Sequence, residues 1–133
     1  RKPSVMSGAV SVPIAHHHKS KKRMVAVTAV SAAAGKPGHG MRYRGKPRAA
    51  LTRWEFVGEH EYGYVLAVTI TRGVRHQIRV HLAHAGMPVV GDKLYNRSGP
   101  ETACHLLYAR GLRFTTFFGK HMAIEVEVPF LLP

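Results

Sequence analysis

Two stretches of the chain alternate apolar and polar positions at the period of a β-strand. In AALTRWEFV, Ala50, Thr52, Trp54 and Phe56 share one face while Leu51, Arg53, Glu55 and Val57 take the other. In YGYVLAVTI, Tyr62, Tyr64, Leu66, Val68 and Ile70 fall on a single face. The short polar GEHEYG between them, with glycine at both edges, predicts an antiparallel hairpin. The β-branched run MVAVTAV at 24–30 reads as a further strand. HLLYARGLRF reads as strand-like, with Leu106, Tyr108, Leu112 and Phe114 as expected core contributors. HMAIEVEVP reads as a half-buried strand carrying Met122, Ile124, Val126 and Val128 inward and ending at Pro129. One segment changes period. From near Val74 to Gly86, Ile78, Leu82 and Ala85 recur at helical spacing, with Val80 and Ala83 widening the apolar side. Gly86 is a natural C-terminal stop, and Pro88 follows it. Four or five strands and one main short helix predict an α+β fold with a mostly antiparallel sheet.

The remaining segments read as connections. Residues 1–23 form a basic leading segment with small residues and two prolines, ending in HHHKSKKR; it is expected to be a surface loop. Residues 32–47 are rich in glycine, lysine and arginine, and two G-K-P tripeptides predict a flexible loop. Proline after each lysine excludes a phosphate-cradling nucleotide loop. The chain has 133 residues, enough for one ordinary domain with a core.

Charge changes the picture more than length does. Twenty Lys and Arg oppose seven Asp and Glu, a formal +13 that attracts phosphate polymers. A nucleic acid is the expected partner, with Lys19, Lys21, Lys22 and Arg23 as backbone contacts. No long apolar run or strongly amphipathic basic helix supports a membrane partner. The single Cys104 and the lack of an apolar leader predict a reducing, cytoplasmic setting.

The helix and its approach concentrate the candidate chemistry. Arg72, Arg75, His76 and Arg79 lie at the positive end of the helix dipole, where cations are locally unfavourable and so answer an outside partner. Metal is not expected: only His81 and His84 have one-face spacing, and nothing nearby completes a ligand set. His84 suits the negative end of the dipole. Asp92, after Gly91, reads as a turn residue bonded to neighbouring backbone amides.

The block HQIRVHLAHAGMPVVGDKLY resembles a signature segment of the RluA-type pseudouridine synthases. VPI, KKRMVAV, RGKPRAALTRW and LLYARGLRF follow in the order of the C-terminal half of that family's catalytic domain. The resemblance implies that residues 1–133 are the C-terminal portion of a single pseudouridine synthase catalytic domain. It also implies isomerisation of uridine to pseudouridine in structured rRNA or tRNA, with uracil detached from C1′ and rejoined through carbon. No metal or organic cofactor is implied. The target base must leave its stack to be reached. By motif position, Arg79 pairs with the catalytic aspartate, holding that carboxylate ionised and oriented. Ile78 borders the uracil pocket or packs in the core, and the helical pattern favours the core. His76, Arg75 and Arg72 are the expected substrate contacts.

Departures from the family accompany the match. Where T-G-R-T usually precedes the block, this chain carries Arg72, Gly73, Val74 and Arg75, so valine stands at the usual arginine. Tyr108 replaces a frequent histidine, and Thr116 and Phe117 replace a His-Pro pair. No H-R-L-D-like motif occurs among the 133 residues. The expectation is therefore a part of a synthase whose catalytic aspartate and N-terminal half lie outside this sequence, inactive by itself. The alternative is a non-catalytic RNA-binding module derived from a synthase.

Overall fold

The computed structural model describes residues 3–28 and 43–128. Its elements in chain order are β1 Ser7–Val10, β2 Ile14–His17, β3 Met24–Ala26, β4 Tyr43–Arg48, β5 Thr52–His60, β6 Gly63–Ile70, α1 Gln77–His84, β7 Gly111–Thr115 and β8 His121–Glu125. Every strand pair is antiparallel. The sheets have the orders β1–β5–β6, β3–β2–β4 and β7–β8. The α+β class with one main short helix is the observed one.

The alternating hairpin is the longest pairing. Thr52 faces Ile70, Trp54 faces Val68 and Phe56 faces Leu66; a bulge between Phe56 and Gly58 then shifts the register. Thr52 and Trp54 are buried, whereas Arg53, Glu55 and Val57 are exposed, as alternation requires. On the other side of β5, Gly8 lies opposite Trp54. A Cβ on Gly8 would approach the indole Cζ2 to 2.8 Å, so only glycine lets β1 lie against that ring.

β1 runs into β2 through residues 11–13, and β4 runs into β5 through residues 49–51. These two corners carry the chain from one three-stranded sheet to the other, and α1 packs against them. Gln77 Nε2 donates to Leu51 O at 2.9 Å and to Thr52 Oγ1 at 3.2 Å. His81 Nε2 lies 2.7 Å from Val12 O, and His81 Nδ1 lies 2.8 Å from Thr52 Oγ1. A carbonyl can only accept, so the His81 proton sits on Nε2 and Nδ1 accepts from the threonine hydroxyl. Two polar side chains thus satisfy backbone carbonyls at the corners.

Two apolar clusters flank this polar seam. Ile14, Met24, Val74 and Val80 form one; Trp54, Leu82 and Val89 form the other, with Ile78 and Val68 packed on it. α1 contributes to both.

Several expectations change here. The leading segment 1–23 holds two strands rather than a surface loop, because β1 pairs with β5 and β2 pairs with both β3 and β4. Of the predicted loop 32–47, residues 43–47 belong to β4; residues 32–42 lie outside the described residues. The strand predicted over 24–30 is confined to Met24–Ala26 among the described residues. The helix starts at Gln77, not near Val74. It buries Gln77, Val80, His81 and Leu82 while Ala85 is exposed, because the corners need polar partners on that face. Its end is as expected: Gly86 adopts φ 76°, Gly86 N–H donates to Ala83 O and Met87 N–H to Leu82 O, the paired bonds of a Schellman motif. The last two strands form a ribbon with little cover among the described residues. Leu112, Phe114, Ile124 and Val126 are exposed, as is Tyr108, instead of buried; of the residues expected inward there, Val128 is the buried one. No helix among the described residues is long and apolar enough to cross a membrane.

Candidate functional site

The turn leading into α1 is held by a reciprocal pair of bonds. Val74 N–H donates to Gln77 Oε1, and Gln77 N–H donates to Val74 O, both at 2.9 Å. His76, between them, has φ 57°, the one non-glycine residue with positive φ among the described residues. Left-handed backbone costs an ordinary residue about 1–2 kcal/mol, so the surroundings must hold it there. They do: His76 Nδ1 lies 2.9 Å from the Tyr95 hydroxyl, with the two rings edge to face. That hydroxyl also accepts the Met24 N–H at 2.8 Å, which ties the site to β3. His76 is a neutral imidazole at neutral pH, and either ring tautomer can share a hydrogen bond with that hydroxyl. Burial lowers its pKa, and the charges of Arg79 and Arg75 lower it further.

Arg79, one turn along, is bound on two sides. Its Nε and Nη2 donate to Asp92 Oδ2 and Oδ1 at 2.7 and 2.8 Å, a bidentate fork. Its Cζ lies 5.1 Å from the centroid of the Tyr95 ring. Asp92 is itself fixed, since Oδ1 also accepts the amides of Leu94 and Tyr95 at 3.0 and 3.2 Å. Its side chain is fully enclosed, and that of Arg79 is 15% exposed. Gly91 turns the chain with φ 75°, and a Cβ there would overlap Thr102 Oγ1 and the Cys104 carbonyl. The Gly-Asp pair is thus a steric requirement followed by an electrostatic one.

The ionisation of this group follows from its contacts. Burial alone would raise the Asp92 pKa, but hydrogen bonds from Arg79 and Leu94 and the Arg79 charge outweigh it and hold the carboxyl below its ordinary range. The Asp92 hydrogen bond raises the Arg79 pKa. Burial raises that of Tyr95. At neutral pH the site is a fixed guanidinium–carboxylate pair beside a neutral phenol and a neutral imidazole. Asp92 accounts for Nε and Nη2, and Nη1 takes no part in that fork.

Arg79, His76 and Tyr95 are thus brought together, and Arg75 is near enough for its charge to act on His76. Arg72 and Arg75 are exposed. Ile78 packs half-buried against the Trp54 cluster, in keeping with its core reading. Lys19, Lys21 and Lys22 are exposed in the bend between β2 and β3, while Arg23 is drawn inward toward Tyr95. Asp92 does bond to backbone amides as a turn residue. It is also a carboxylate for Arg79 within this chain, a role the pattern of spacings did not suggest. Tyr95 was missed altogether, although it ends GDKLY three residues after an acid in a turn, where folding back is expected. Gln77 and His81 were missed as structural pegs.

No family model matches the chain. It is 33% identical to an uncharacterized RNA pseudouridine synthase of Aquifex aeolicus over 134 residues, covering 92% of this chain and 37% of the relative. It is 32% identical to one of Chlorobaculum parvum over 101 residues, covering 75% of this chain and 27% of the relative. With the ribosomal large subunit pseudouridine synthase D of Nitrosomonas europaea it shares 31% identity over 94 residues, 71% of this chain and 22% of that one. Among solved structures, the human RNA pseudouridylate synthase domain containing 1 matches 97% of this chain and 51% of its own, with a TM-score of 0.71 and 23% identity. The chain thus spans between about a fifth and two-fifths of the length of these curated relatives.

Proposed function

The chain belongs to the RNA pseudouridine synthase family, and on that premise we propose that it is the Arg79-bearing portion of a catalytic domain that isomerises uridine in rRNA or tRNA. The supporting observation is the Arg79 arrangement itself. A guanidinium gripped by Asp92 and faced by Tyr95 has few ways to move, and a cation so fixed suits the orientation of a second, reacting carboxylate. In this reading the catalytic aspartate comes from sequence beyond this chain and meets the guanidinium away from the Asp92 fork. Its pKa is lowered by a charge already in place. His76 offers its imidazole, and Arg72 and Arg75 their charges, to the flipped nucleotide or its flanking phosphates. Residues 1–133 are then the C-terminal portion of one domain, acting in the cytoplasm without metal or organic cofactor.

The test uses the parent protein and this chain with RNA tritiated at uridine C5, whose release reports isomerisation. The parent is expected to release tritium, this chain alone to release none, and Arg79→Ala in the parent to lose activity by several orders of magnitude. Full activity of the Arg79→Ala parent would remove the role given to Arg79. One observation favours the non-catalytic RNA-binding reading: the position of the family's arginine is a buried valine, Val74, packed in the core. A parent that binds RNA but releases no tritium would establish that reading instead.

A further inference from the structure

Beside Tyr95, β3, α1 and the segment after Asp92 border an open cleft of about 460 Å³. Val80, Ala83 and Leu94 give it apolar walls; Arg23, His84 and Arg97 line it as well, and no carboxylate does. Another wall is β3. The bonds from His17 N–H to Arg23 O and from Val27 N–H to Pro13 O direct the backbone of residues 23 and 27 toward β2. By the alternation of an antiparallel pair, Met24 and Ala26 turn their backbone groups away from β2. The Met24 amide meets the Tyr95 hydroxyl there.

Arg23 carries the argument. Its Cζ lies 5.8 Å from the Tyr95 ring centroid, and its Nε is buried with no hydrogen-bond acceptor among the described residues. The Nε faces away from solvent, so the cleft's character comes from its lining: the side chains of Arg23, His84 and Arg97 with no acid beside them suit an anion with several acceptor oxygens. We propose that this cleft seats one phosphodiester of the RNA, held by Arg23 and Arg97 with His84 at its margin. This rests on the RNA-modifying reading and adds to it a defined backbone anchor that shares Tyr95 with the Arg79 arrangement.

The experiment measures binding of this chain to a fluorescein-labelled RNA hairpin by anisotropy across a potassium chloride series. Each lost phosphate contact lowers the slope of log K against log salt by roughly 0.7–0.9. Arg97→Gln, on an exposed side chain, and Arg23→Gln are each expected to lower the slope by that amount and weaken binding about fivefold. Arg53→Gln, on the exposed face of β5, serves as a matched loss of one charge and should change the slope by less. In parallel, inorganic phosphate titrated into the labelled chain should shift the Arg23 Nε–H resonance saturably, and Arg97→Gln should weaken that response. Salt-dependent RNA binding with unchanged slopes in the two cleft variants overturns the anchor and leaves the RNA reading standing. So does an Arg23 resonance indifferent to phosphate. Absence of salt-dependent RNA binding by the unaltered chain overturns the anchor, and its absence in the parent overturns the RNA reading as well.

Discussion

The segment from Val74 to Tyr95 and the ribbon of β7 and β8 differ in what surrounds them more than in what they are made of. In the first, polar groups are paired almost side chain by side chain: Gln77 and His81 to the corners, Arg79 to Asp92, His76 to Tyr95. In the second, Leu112, Phe114 and Ile124 are exposed, and at the tip Phe117 and Phe118 are 98% and 92% exposed. An ion pair of the ribbon, Arg113 with Glu125, spans 3.9 Å between exposed side chains and contributes little. One region therefore derives its order from buried specific pairings, and the other mainly from backbone ladder bonds, with a few exposed side-chain bonds such as Thr115 to His121.

The largest break in that contrast comes from Asp92→Ala. It strands an enclosed guanidinium and two amides, so a loss of about 3–5 kcal/mol in unfolding free energy is expected by denaturant titration, with Arg79→Met/Asp92→Leu recovering part of it. A midpoint close to the unaltered chain's would mean the fork contributes little. His81→Leu comes next, leaving Val12 O without its donor and the Thr52 hydroxyl proton without its acceptor, at a cost of about 1–3 kcal/mol; His81→Gln should recover part of it.

Acid sharpens the comparison further. Burial lowers the pKa of His81 in the folded chain, so below its ordinary 6.5 the unfolded chain takes up a proton that the folded one resists. His81 therefore contributes in full above pH 6.5, and stability declines as pH falls below it. Asp92 adds a second decline below 3.8, lost as pH falls through its lowered folded value. Thermal melts across that range should show both, and His81→Gln should make the first shallower while the lowered pKa of His76 keeps part of it. At the small end, Phe117→Ser and Leu112→Ser should change stability by no more than about 0.5 kcal/mol. A larger loss would mean that the ribbon is covered in solution.

Legibility in the sequence follows the same division. Alternation placed the long hairpin, and Gly86 placed the helix end, because both signals come from the backbone itself. Alternation said equally clearly that Leu112, Phe114, Ile124 and Val126 share a side, yet burial depends on what packs against a strand. β1, β2 and β4 were hidden because short segments containing histidine, glycine and proline become strands only through pairing with β5 and β2. The apolar spacing of α1 pointed toward Ala85, whereas the corners drew Gln77 and His81 inward. Arg79 was singled out by its motif. Its partner Asp92 was visible only as a turn residue, since a separation of 13 positions through a glycine turn is not a spacing that announces contact.

The pegs at the corners also bear on how fast the chain folds. His81 reaches Val12 across 69 residues, and Gln77 reaches Leu51 across 26. α1 is only eight residues long, too short to persist alone in water. Its docking therefore waits on closing long loops, whose entropy must be lost before the contacts form. Stopped-flow refolding should be slow for a chain of this size. His81→Leu should mainly speed unfolding if the corners are pegged last, and slow folding if they are pegged at the barrier.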